Sequence, residues 1–172
     1  MILCDGKHFR AGAKRLKRVA LFYLDDSTRK GLGVIVGPSE SSELFLRGFY
    51  DVLLRYGLMR SVFLDNGSGF TADNCVAVAG QLNISFIYGT AGYPEGHGKI
   101  ERFNQTVLNH VLRTLDGNPE VNADCDALQL RLQHYLFERY NHTSHEGIEN
   151  QTPYDRFQHD TTALTFKENQ AQ

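Results

Sequence analysis

The chain has no tryptophan, two methionines, four prolines and only three cysteines in 172 residues. The cysteines, Cys4, Cys75 and Cys125, are odd in number and far apart, and no CxxC pair occurs. That excludes a disulfide framework and a cysteine-based zinc site, and it suits a reducing, cytoplasmic compartment. No apolar run approaches membrane-spanning length, and Met1-Ile2-Leu3 is too short for the apolar part of a secretory signal. No membrane partner is expected. An excess of positive charge is missing too, since 18 Lys and Arg stand against 20 Asp and Glu, for a net charge of −2. A domain that grips DNA through its backbone alone is usually basic overall. Any such binding here must be local, or shared with segments outside this chain.

What remains is ordinary globular material: 41% apolar and 22% charged residues, enough for one domain with a real core. The first apolar segment, Ile2 to Asp5, begins almost at once, and an upstream domain is expected before so abrupt a start. Residues 10 to 18 read as a basic loop or hairpin turn around Gly12. Val19 to Leu24 is a continuous apolar run, the pattern of a strand buried on both faces. Asp25-Asp26-Ser27-Thr28 turns the chain into a third strand, Gly31 to Val36. A helix is expected over 39–56, capped by Ser39 or Ser41 and ended by Gly57.

Val62-Phe63-Leu64 is a fourth strand delivering Asp65 at its carboxyl end, 71–82 a second helix, and Ile84 to Tyr88 a fifth strand. Gly89 to Gly98 reads as a glycine-rich loop, followed by a long helix with Ile100, Phe103, Val107, Val111 and Leu115 on one stripe. Gly117-Asn118-Pro119 breaks it, and a last helix runs to about Tyr140. This order predicts an α/β domain with a five-stranded mixed sheet flanked by helices. The first three strands would be antiparallel, and the later ones joined through helical crossovers. The core is expected over residues 1–141, with 142–172 as a tail packed on it and ending in a polar, disordered segment.

Three carboxylates at strand and helix ends stand out: Asp5, Asp65 and Glu101, the last two separated by 35 residues. Singly, each reads as a turn or helix-end acid. Together they are what a protein needs to hold two divalent cations, because magnesium prefers carboxylate oxygens. Neither Ser27 nor Ser68 has an evident histidine partner, so no nucleophile–base pair competes. Asn66 follows Asp65 and is placed either to position it or to approach a phosphate. Lys99 and Arg102 offer charges to phosphates, Gln105 lies one turn beyond Glu101, and Tyr93 offers a ring to an unpaired base.

The segments CDGKHF, FYLDDSTRKGLG, LDNGSGFTADN, PEGHGKIERFNQT and YNHTSHEGIENQTPYDRF occur in the order found in the catalytic cores of bacterial insertion-sequence transposases and retroviral integrases. The chain resembles this family over nearly its whole length. The resemblance implies an RNase H-like fold, with Asp5, Asp65 and Glu101 as catalytic and metal-binding triad and Asp26 as the rival for the first place. It also implies two Mg2+ or Mn2+ ions, nicking at DNA 3′ ends followed by strand transfer, and a homo-oligomer, at least a dimer, on DNA. A DNA-contacting polar residue would fall four places before Glu101, where this chain has His97. Rival readings are a catalytically inactive DNA-binding or assembly module and an RNase H-type nuclease. The YN-x-H segment is expected to pack the last helix and tail against the domain.

Overall fold

In a computed structural model, which describes residues 1–64, 73–89 and 94–160, five strands form one mixed sheet in the order β3-β2-β1-β4-β5. β1 (Ile2–Ala11), β2 (Leu16–Asp25) and β3 (Gly31–Gly37) are an antiparallel meander. β4 (Ser61–Leu64) runs parallel to β1, and β5 (Ser85–Tyr88) parallel to β4. Helices α1 (Ser42–Tyr56) and α2 (Asp73–Leu82) supply the crossovers into β4 and β5.

Ile2–Cys4 of β1, Val19–Leu24 of β2 and Val62–Leu64 of β4 are continuously apolar because both sheet faces are covered there. Alternation sends Ile2, Cys4, Leu21 and Tyr23 to one face, against Phe45, Phe49 and Val52 of α1. It sends Leu3, Phe22, Leu24 and Phe63 to the other, where Ile100, Phe103 and Val107 of α3 (Pro94–Val107) lie. Beyond α3 the chain winds through a π-helical turn, Leu108–Leu112, into α4 (Arg113–Leu115). α5 (Cys125–His134) adds Leu128 and Leu132 to that second core. Of the two candidate caps of α1, Ser41 is the one used: its Oγ accepts from the N–H of Leu44 at 3.1 Å.

Two expectations are corrected. The first strand is ten residues long, not four, and the basic segment read as a loop or hairpin turn is a hairpin, with β1 and β2 paired as far as Ala11↔Leu16. The hairpin then turns at Gly12, whose φ of 76° and closeness to Ala123 both call for the missing side chain. The glycine-rich segment expected as loop to Gly98 is helical from Pro94 onward. A proline at the first helical position costs nothing, since that N–H has no partner within the helix anyway. His97 and Lys99 therefore stand on α3, one turn and half a turn ahead of Glu101.

Two arginines of the basic hairpin reach the segment that follows α4. Arg15 donates to both carboxylate oxygens of Asp116, at 2.7 and 3.1 Å, and Arg18 Nε donates to the carbonyl of Ala123 at 2.9 Å. The arginine pairing holds the Asp116 carboxyl below its ordinary range. The Arg15–Asp116 pair is exposed, so it engages one hairpin charge at the surface.

At the carboxyl end, Asn141 is buried and bridges the main chain of Gly31, accepting from its N–H at 2.7 Å and donating to its C=O at 3.0 Å. Tyr140 packs edge-on against Phe103, with ring centroids 5.0 Å apart, and also lies 4.8 Å from His145. α6 (Pro153–His159) returns to the body through Phe157, which meets Tyr56 edge-on and lies beneath the Lys30 ammonium at 4.1 Å. Within this segment Tyr140 and Asn141 are buried, whereas His142 and Thr143 are exposed. The polar stretch 161–172 lies outside the described residues.

Candidate active site

Asp5 lies on β1, opposite Phe22 of β2, one residue past Cys4. Cys4 in turn pairs with Leu64, the last residue of β4. By alternation the Asp5 side chain shares the face of Leu3, the face that α3 covers. The helix meets it there, with Asn104 Nδ2 donating to Asp5 Oδ2 at 2.6 Å. A charge-assisted bond of that length fixes one carboxylate oxygen and the rotamer with it.

Asn104 is a residue that sequence reasoning missed. The available signal was a polar side chain one turn after Glu101, beside the buried Phe103. A further acid near Cys4 is Glu40, just ahead of α1, which lies over Gly6 on the sheet face that α1 covers, not on the face of Asp5. Its carboxylate lies 3.6 Å from His8 Nε2. The buried Cys4 thiol registers both acids, because burial first, then the charges of Asp5 and Glu40, push its pKa well up.

Glu101 is exposed on α3, as are Arg102 and Gln105. Its stripe is defined by its neighbours on the helix. Four residues earlier, His97 packs edge-on against Phe63 of β4, with centroids 5.3 Å apart. Three residues later, Asn104 holds Asp5. Residues three and four apart share a helical face, so Glu101 stands on the stripe that looks toward the β1–β4 junction. Asp65 and Asn66, which follow β4, and Tyr93, which precedes α3, lie outside the described residues.

The rival acids are otherwise engaged. Asp25 is buried, and its Oδ2 accepts from Ser27 Oγ, from the N–H of Thr28 at 3.0 Å and from Thr28 Oγ1 at 2.6 Å. It is the turn-forming aspartate of the pair. Asp26 forms an ion pair of 2.7 Å with Lys99 Nζ. Asp26 also sits beside Met1, at the opposite end of the paired segment from Leu64. Lys99, expected at a phosphate, is therefore turned toward Asp26. Arg102 and Lys99 line a cleft of about 530 Å³ beside α3, together with Arg29, Tyr140, His145 and Glu146.

Carboxylates at this junction offer the oxygen donors that hard divalent cations require. Among the described residues no three candidate ligands cluster, and Asp65 is not among those residues. Also among the described residues, no helix is long and apolar enough to cross a membrane.

No protein-family model matches the chain. Over 107 residues, 59% of the chain, it is 36% identical to the transposase for transposon Tn552 of Staphylococcus aureus. The match covers 22% of that protein, so the chain spans about a fifth of its curated relative. Among solved structures, the chain superposes on the catalytic core domain of BIV integrase with a TM-score of 0.65 at 19% identity, covering 90% of this chain and 91% of that one. The HTLV-2 integrase catalytic core domain in complex with magnesium gives 0.63 at 17% identity, with 90% and 93% covered. The simian T-cell lymphotropic virus intasome gives 0.70 at 18%, covering 97% of this chain and 56% of that one.

At such identities the structures speak for the fold, which is RNase H-like, as integrase cores are. Sequence similarity thus points to a transposase, and fold similarity to integrase catalytic cores.

Proposed function

We propose that this domain is the catalytic core of a metal-dependent DNA strand transferase, in which Asp5, Asp65 and Glu101 hold Mg2+ or Mn2+. The observation that carries this reading is the Asn104–Asp5 bond. It ties α3 to β1 beside the end of β4, with Glu101 one turn earlier on the same helical stripe. In sequence, Asp65 directly follows Leu64, the β4 residue paired with Cys4.

Bound divalent ions would activate the attacking oxygen and stabilise the leaving one in an in-line displacement at phosphorus. The chain's own residues do the rest. Asn104 holds Oδ2 of the Asp5 carboxylate and with it the side chain's rotamer. His97, braced on Phe63, seats the helix against β4. Gln105 and Arg102, exposed on adjacent stripes of α3, are placed to meet the DNA backbone, and Asn66 adjoins Asp65 in the chain. Such phosphate contacts bring salt-sensitive affinity without sequence choice. Recognition of element ends then falls to segments beyond this domain, and at least a dimer assembles on paired DNA ends.

The test is a joining assay in which pre-nicked DNA ends and a supercoiled target are incubated with the chain. Joined product should form with Mg2+ or Mn2+ and disappear with EDTA. Joining that persists in EDTA would refute the metal-dependent reading. Binding of DNA with no joining under any metal would favour the inactive assembly module.

A further inference from the structure

We infer that the Asp26–Lys99 ion pair is a clamp that keeps the opening turns of α3 wound and thereby sets where Glu101 stands. The significance of Glu101 rests on the function proposed above, whereas the clamp itself does not. The start of α3 is intrinsically weak. Its first five residues, Pro94 to Gly98, include two glycines, each of which favours the unwound chain. Packing does not demand a glycine at position 98, since a Cβ there would meet nothing within 4 Å. Propensity alone would let these turns fray, and Glu101 follows directly after them.

The opposite half of the clamp is rigid. Asp26 comes just after β2, its N–H bonds to the carbonyl of Met1 at 3.0 Å, and an Arg29 guanidinium nitrogen donates to its carbonyl. The neighbouring Asp25 carboxylate ties down the rest of the turn through Ser27 and Thr28. From this anchor Asp26 Oδ1 reaches Lys99 Nζ at 2.7 Å. The two side chains are only 18% and 19% exposed, so solvent screens the pair weakly and loss of either partner strands a part-buried charge. Lys99 is two residues ahead of Glu101, so the clamp grips the helix at the point where it passes from glycine-rich to apolar-striped sequence. Lys99 is thus a positioning residue rather than a phosphate contact, as is Asp26.

Amide hydrogen exchange on the full 172-residue chain, without metal, reads the clamp directly. In Asp26→Asn and in Lys99→Met, amides of residues 98–102 should exchange at least tenfold faster than in the parent. Those of Leu21–Tyr23 and Leu128–Leu132 should be unchanged, which also certifies the fold. Adding Gly98→Ala to Asp26→Asn should slow the fast amides about fivefold, since alanine restores the missing helix propensity. Mn2+ titrated into the same variants should bind several-fold more weakly in Asp26→Asn and recover with Gly98→Ala. Unchanged exchange at 98–102, or no rescue by Gly98→Ala, would overturn the clamp. A parent chain that binds no Mn2+ would instead overturn the metal site, leaving the exchange result to decide the clamp alone.

Discussion

Glu101→Gln should reduce strand joining at least about 100-fold while leaving the melting temperature and DNA affinity essentially unchanged. Glutamine keeps the size of the side chain and a nearly equal helix propensity, so the exposed stripe of α3 is not disturbed. What it removes is a negative charge and half of the oxygen donors. Loss of an outer partner of a metal ligand typically costs 10–100-fold, and loss of a ligand itself belongs at or beyond the upper end of about that range. Joining rates, thermal melts and filter binding on the same preparation separate these effects. A variant that joins DNA as fast as the parent would remove Glu101 from the site.

The second large effect concerns stability. Asn141→Ala should cost about 3 kcal/mol, roughly 6–12 °C in Tm for a chain of this size. The Asn141 amide serves both the N–H and the C=O of Gly31, and both bonds are buried. No other residue can take over at once, because Gly31 is hemmed in by Leu136, whose side chain would clash with even a methyl group there. Without the amide, two backbone groups at the start of β3 lose their partners in a place water reaches poorly. Urea unfolding should show a lower midpoint with an unchanged m-value. A loss under about 1 kcal/mol would mean that the Asn141–Gly31 bridge adds little to stability.

The sheet was legible because its signal is strong. Continuous apolar runs such as Val19–Leu24 occur where both faces are covered, and here α1 and α3 cover them. The antiparallel meander followed by parallel crossovers also came through, since short connections and helical ones leave different patterns in a sequence. The extent of β1 did not. Lys7, His8 and Arg10 look like loop residues, but a hairpin that extends past the core needs no apolar alternation, only backbone pairing with β2. The start of α3 was misjudged for a related reason. Glycines at 96 and 98 argue against helix by propensity, and tertiary contacts through His97 and Lys99 override them.

Of the candidate site, Asp5 and Glu101 stand out in the sequence as a strand-end and a helix-start acid, but β1 runs on to Ala11 and α3 begins at Pro94, so both lie inside their elements. Their relation does not stand out, because it is carried by Asn104, whose role is visible only once α3 is laid across β1. The choice between Asp5 and Asp26 was similarly beyond composition and spacing. Antiparallel pairing of β1 with β2 carries Asp26 back to Met1, away from the end of β4, while parallel pairing of β1 with β4 brings Asp5 up to it.

The central claim is that Asp5, Asp65 and Glu101 share a divalent ion, and crystals of the chain soaked in Mn2+ test it most directly. Anomalous scattering from manganese should locate an ion bound by carboxylate oxygens of Asp5 and Asp65, with Glu101 within reach of the same centre. Manganese bound instead at Asp26 or Glu40, or none near Asp5 at saturating concentration, would contradict the account.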